Sequence, residues 1–345
     1  MRKITLLLLI ILSLLVVGCS KEVRDGKNGT EPEPVRVEFF AMDTFMWISA
    51  FGANADAGIE RAVQEITRLE SLWSVSVSES EISQINRTGS ARVSEDTKNV
   101  IDTAIGISKA ADYAFDITIY PVVKAWGFTT AKHRVPDENE LADMIKLVDS
   151  DMITSVGDTI TLEAGMELDL GAIAKGYASA RAIDILRQSG ITSAIVSLGG
   201  NIQTLGTKPD ASPWNVAVQD PIDLNSYIGT LKIADKAAVT SGVYQRYFER
   251  DGKVYHHLID PKSGKPADNG LLSVTIISDD GALADALATA MFIKGIDAAT
   301  DFWRSDVYAF DMILINSDEE IFITDGISDA FTLLNAQLDV TEIRK

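Results

Sequence analysis

Apolar positions along the chain recur with two periods, and the period changes from segment to segment. Ile59, Val63, Ile66, Leu69 and Leu72 recur at helical spacing and predict a helix over 58–72. The same spacing predicts helices over 96–111, 136–147, 174–185 and 282–293, with Pro136-Asp137 as a cap for the third. Ile82 and Ile85 mark a short helical turn at the end of a Ser-rich stretch, Trp73 to Asn86. Alternation predicts strand–turn–strand over 37–51. It also predicts strands over 159–162, 166–170, 193–198, 214–220, 227–233, 237–240, 243–249, 254–259 and 272–278. Gly199-Gly200-Asn201 reads as a tight turn and Asp251-Gly252 as a hairpin. The stretch from Ala114 to Phe128, broken by Pro121 and Gly127, reads as irregular. Helices between some strands and hairpins between others predict an α+β fold: a mostly antiparallel sheet with packed helices.

The first residues are a separate object. Arg2 and Lys3 precede an apolar run, Leu6 to Val17, too short for a comfortable membrane span. Val16-Val17-Gly18-Cys19 then resembles a bacterial lipobox. The expectation is an export signal over 1–19, with Cys19 lipidated at the start of the mature chain. Residues 20–35 are polar, with Gly, Pro and mixed charge, and read as a flexible tether. The folded body is then 36–345, a single unit. This makes the protein an exported lipoprotein anchored to a bacterial membrane and facing the periplasm.

Composition adds two exclusions. With 31 basic and 50 acidic residues the net charge is −19, which argues against a nucleic-acid partner. Cys19 is the only cysteine, so the body has neither a disulfide nor a thiol nucleophile.

Three places could carry chemistry. Asp169-Leu170-Gly171-Ala172-Ile173-Ala174-Lys175-Gly176-Tyr177 is a Gly-containing turn opening a helix. Free N–H groups at a helix N-terminus, with Lys175 in the first turn, favour an anion. Asp285 and Thr289 lie four apart on a helix and share a face. Two hard oxygens suit Mg²⁺ or Ca²⁺ better than Zn²⁺. His256 and His257 point to opposite sides of a strand, so one of them can enter a site as general base. His133 reads as a surface residue, and Thr240-Ser241-Gly242-Val243-Tyr244 as a turn that contacts ligand rather than a nucleophile elbow.

In order along the chain, these pieces resemble the ApbE family of FAD:protein FMN transferases. The resemblance runs from about Phe39 to about Gly295. It is carried by Met42-Asp43-Thr44, Ser80 to Asn86, Phe115 to Thr118 with Trp126-Gly127-Phe128, Asp169 to Tyr177 and Ser197 to Asn201. Thr240-Ser241-Gly242, His257 to Gly264 and Ala284 to Thr289 complete it. The resemblance implies an ApbE-like, T-fold-related catalytic unit. It implies Mg²⁺-dependent transfer of FMN from FAD to a Thr or Ser hydroxyl of a target protein with release of AMP, and in some members hydrolysis of FAD to FMN and AMP. It implies Mg²⁺ ligation by the Ala172 carbonyl, Asp285 and Thr289. It implies FAD contacts from Met42, Ala114, Phe115, Asp116, Asp169, Lys175 and Ile259, and His257 as base. Implied acceptors are flavoproteins such as subunits of membrane redox pumps, with a short Asp-x-x-Ser/Thr-Gly-Ala-Ser/Thr-like motif. Where the family often has a Tyr, this chain has Ser76, which implies looser FAD binding and turnover by hydrolysis. The competing reading is a lipid-anchored flavin carrier without turnover.

Overall fold

The computed structural model describes residues 33–130, 132–335 and 338–345. The signal segment, Cys19 and all but the last three residues of the tether lie outside the described residues. The body is built on a nine-stranded sheet. In spatial order its strands are Val35–Ala41, Thr44–Ala50, Ala194–Leu198, Asn201–Leu205, Ala237–Gly242, Leu271–Ser278, Asp311–Asn316, Ile321–Thr324 and Val340–Ile343. Every neighbouring pair is antiparallel except the last, which is parallel. Seven α-helices stand among the described residues: α1 (Ala55–Trp73), α2 (Glu81–Thr88), α3 (Glu95–Ala110), α4 (Tyr120–Trp126), α5 (Glu138–Ile145), α6 (Ala174–Gln188) and α7 (Gly281–Arg304). The expected α+β class is the observed one.

Alternation along the sheet explains its two cores. Val239 and Ile276 join the large core that holds α1, α3, α6 and α7. Their strand neighbours Ala238 and Ile277 face the other way. There they pack with Val218, Ile228 and Leu231 of a three-stranded sheet, Phe331–Leu333, Tyr227–Ile233 and Trp214–Gln219. A third cluster joins Val122 and Trp126 of α4 to Leu141 of α5 and Ile259.

Local chemistry sets the helix starts. The Ser80 hydroxyl accepts from the Ser83 N–H at 2.9 Å, and Asp137 accepts from the Glu140 N–H at 2.9 Å, the cap expected for α5. Asp280 accepts from the N–H groups of Ala282 and Leu283 at the start of α7. α7 bends at Gly295, whose φ of 76° interrupts the helix. The freed Phe292 carbonyl accepts from Asn269 Nδ2 at 2.7 Å. The predicted end near 293 is this bend.

Four expectations need correction. Only Thr159–Thr161 of the two runs before the central turn is a strand. Met166, Leu168 and Leu170 are buried alternately, but in an extended segment whose N–H groups go elsewhere: Leu168 donates to the Asn86 side chain and Asp169 to the Ile117 carbonyl. Alternation reports which side chains are buried, not whether a neighbouring strand exists. Within 243–249 only Tyr247 onward is strand, in the hairpin Tyr247–Arg250 and Lys253–His256. Its turn is the expected Asp251-Gly252, with φ of 53° and 73°. Of Thr240 to Tyr244, read as a turn, Thr240-Ser241-Gly242 is the end of a sheet strand and only Val243-Tyr244 lies in the turn that follows it. Finally, part of the stretch read as irregular is α4, with Pro121 in its first turn where a missing N–H costs nothing.

Candidate active site

One end of the sheet opens into a cleft of about 1670 Å³. Two hairpin turns form part of its wall. Met42 and Asp43, with φ of 48° and 56°, join the first two strands, and Gly199 and Gly200 join the next two. The turns are locked together: a Cβ on Gly199 would lie 2.6 Å from the Thr44 side chain. α1 holds the first turn from beneath, since Glu70 Oε1 accepts the Met42 N–H at 2.7 Å.

The same cleft collects every predicted body-site residue. Met42, Ser76, Ala114, Phe115, Asp116, Asp169, Ala172, Lys175, His257, Ile259, Asp285 and Thr289 all line it. They come from distant parts of the chain.

α6 and α7 cross at its floor. A Cβ on Gly176 would lie 2.1 Å from the Gly281 carbonyl oxygen, so only glycine permits this approach. The approach lets buried Asp285 accept the Gly176 N–H on Oδ2 at 2.8 Å. The Ala174 N–H goes to the Leu170 carbonyl. The N-terminus of α6 therefore already holds a carboxylate side chain of this chain, Asp285, on its Gly176 N–H. Thr289 stands one turn along from Asp285, its hydroxyl 3.3 Å from that of Ser241. Among the described residues no group of three or more His, Cys, Asp or Glu is placed to share a metal. The donors here are a carboxylate, a hydroxyl and a carbonyl. That set fits a hard cation completed by oxygens of a ligand, and it does not fit a soft one.

Two cations face this floor. Among the described residues neither Lys175 nor Arg246 has a carboxylate within 4.0 Å, although the chain is strongly acidic. Lys175 Nζ donates only to the Gly171 carbonyl at 3.2 Å. Half-buried Asp169 lies in their field. Burial pushes its carboxyl up, and the Gly171 N–H together with Arg246 and Lys175 holds it partly back.

His257 and His256 divide as the strand pattern predicts. His256 is buried against Phe292, its Nε2 donating to the Ala267 carbonyl at 3.0 Å. His257 faces the cleft. Its Nδ1 donates to the Arg246 carbonyl at 3.1 Å, which leaves the Nε2 lone pair free. Burial, helped by the charges of Arg246 and Lys175, lowers its pKa to about 3, so the imidazole is neutral. His133 is exposed as expected, yet it stacks on Phe248 with ring centroids 4.9 Å apart.

Two other predicted residues line the cleft and also make hydrogen bonds within the chain. Asp116 is buried and takes three hydrogen bonds: Oδ1 accepts from the N–H and hydroxyl of Thr118, and Oδ2 from the Ser150 N–H. It shapes the 114–118 loop at the cleft wall. Ser76 is exposed, in a loop closed by a 3.0 Å contact between its hydroxyl and that of Ser74. The sequence does not single out Arg246, which lies in the cleft wall beside Tyr244, the last residue of the 240–244 stretch read as a ligand contact. Burial pushes the Tyr244 hydroxyl up to about 12. Arg246 sits in no pattern that marks it.

A neutral imidazole, two unpaired cations and a hard-oxygen set in one cleft define a site built for a phosphate-bearing substrate. The ApbE family model matches residues 42–313, and the chain belongs to that family. It is 36% identical over 281 residues to an FAD:protein FMN transferase of Klebsiella pneumoniae (strain 342), covering 79% of this chain and 86% of that one. It is 32% identical over 305 residues to an FAD:protein FMN transferase of Treponema pallidum (strain Nichols), covering 83% and 84%. The crystal structure of the ApbE protein of Thermotoga maritima superposes with a TM-score of 0.81 at 29% identity, covering 86% of this chain and 99% of that one. The flavin transferase ApbE of Vibrio cholerae superposes with a TM-score of 0.77 at 27% identity, covering 87% and 99%.

Proposed function

We propose that this protein transfers FMN from FAD to a Ser or Thr hydroxyl of an acceptor protein, in a reaction that depends on Mg²⁺ and releases AMP. The observation that carries the reading is the gathering of Asp285, Thr289, Ala172, Lys175 and His257 at one cleft. In the proposed step the acceptor oxygen attacks the FMN phosphorus and the P–O–P bond breaks. AMP leaves, and the hydroxyl proton passes to His257 Nε2. Lys175 and Arg246 bind and orient the pyrophosphate. Asp285, Thr289 and the Ala172 carbonyl would hold Mg²⁺, which supplies neutralisation of the charge that develops on the phosphate oxygens. A pyrophosphate bound beside His257 raises its low proton affinity.

Water in place of the acceptor hydroxyl gives FMN and AMP. Ser76 favours that side reaction, since it offers no ring on which the flavin can stack. The acceptor is a flavoprotein subunit of a membrane redox pump, and Cys19 anchors the enzyme as a lipoprotein at the periplasmic face of a bacterial membrane. The test is a reaction of the protein with FAD, Mg²⁺ and a peptide carrying the Asp-x-x-Thr-Gly-Ala-Thr pattern, read by mass spectrometry. A peptide heavier by one FMN supports the reading. Bound, intact FAD and an unmodified peptide support a carrier instead.

A further inference from the structure

Asn201 opens the strand that follows the Gly199-Gly200 turn, and it lines the cleft. It is 3% exposed. Its Nδ2 is buried and has no hydrogen-bond partner among the described residues. Unpaired buried donors are costly and rare, and one in a cleft wall calls for an acceptor from outside the chain.

The direction follows from the strand. Residues two apart share a face, so Asn201 lies on the side of Gln203, whose Oε1 accepts from the Ser179 hydroxyl of α6 at 2.7 Å. That is the side covered by α6 and α7, the helices that carry Lys175, Asp285 and Thr289. A carboxamide there is a donor whose charge does not change with pH, beside cations that attract the same ligand.

We propose that Asn201 is a substrate-binding residue whose side-chain N–H donates to a phosphate oxygen of the bound dinucleotide. The inference rests on the FAD reading above. It explains why a costly unpaired donor is kept: the bond is completed only when substrate is present.

The test is equilibrium binding to the full-length protein in detergent, with EDTA present to keep FAD intact. Asn201→Ala should weaken FAD binding about tenfold or more, the usual loss for a hydrogen bond to a charged group. Asn201→Asp should weaken it further, since a carboxylate would face the phosphate. Riboflavin, which lacks phosphate, should bind both variants within about twofold of wild type. The melting temperature of ligand-free Asn201→Ala should equal or exceed that of wild type, because an unpaired donor has been removed. FAD affinity unchanged in both variants overturns the assignment, as does an equal loss for FAD and riboflavin. A clear fall in the ligand-free melting temperature assigns Asn201 a structural role instead. A wild-type protein that does not bind FAD overturns the functional reading itself.

Discussion

Asp285 Oδ2 accepts the backbone N–H of Gly176 at 2.8 Å, across the crossing of α6 and α7. The bond ties the proposed metal carboxylate to the helix that carries Lys175. It exists because position 176 has no side chain. Gly176→Ala would push a methyl into the Gly281 carbonyl. Overpacking of this kind costs about 1–3 kcal/mol, so chemical denaturation should show a loss of that size. FAD cleavage should fall at the same time by at least about tenfold, because Asp285 moves with α7. A variant that is destabilised yet fully active would show that the crossing does not position the site.

Asp116, which the family resemblance implies as an FAD contact, lines the cleft and also staples its own loop. Its two oxygens take three hydrogen bonds from Thr118 and Ser150. Asp116→Ala leaves buried donors unpaired and should cost about 1–3 kcal/mol in thermal or denaturant unfolding. A loss of activity with no loss of stability would place its role in binding instead.

His257 makes a pH prediction. Its pKa is about 3 in the folded protein against 6.5 for a free imidazole, with burial as the main cause. Below about pH 6.5 the unfolded chain takes up a proton that the folded chain does not. The stability linked to neutral His257 is therefore fully present above that pH and is lost as pH falls toward 3. His257→Gln should flatten this part of the stability profile. The ring resonance of His257 in ligand-free protein should not titrate between pH 8 and 5 by NMR, and a midpoint near 6.5 would refute the buried, neutral imidazole.

Ser76 offers a gain-of-function test. Ser76→Tyr supplies a ring at the exposed loop of the cleft. If base stacking is a guide, FAD binding should tighten by roughly 1–3 kcal/mol. Release of FMN without acceptor should slow. Unchanged affinity and unchanged hydrolysis, measured by calorimetry and chromatography, would remove Ser76 from the account.

The comparison of sequence with structure separates two kinds of information. Elements with their own period or cap were legible: α1, α3, α5 and α6, the strand pairs around 42–43 and 251–252, and the bend that ends the first part of α7. The segment 162–170 was misread because alternate burial arises without strand pairing when an extended chain lies in a groove. The strand Asn201–Leu205 was missed because its side chains (Asn201, Gln203 and Thr204 among them) are polar yet buried, so no alternation marks it. The site was legible as ordered motifs. What the sequence does not carry is how those motifs share their groups. Gly176 spends its N–H on Asp285, the Arg246 carbonyl sets the tautomer of His257, and the Arg246 side chain adds a cation that no motif announces.

The central claim is metal-dependent cleavage of a dinucleotide at this cleft. The most direct measurement is incubation of the protein with FAD and Mg²⁺, followed by chromatographic separation of the nucleotides, with EDTA and Asp285→Ala as controls. The account predicts AMP and FMN in equal amounts from the wild type, abolished by EDTA and by Asp285→Ala. FAD that stays intact on the wild-type protein, with no AMP even when an acceptor peptide is added, would contradict it.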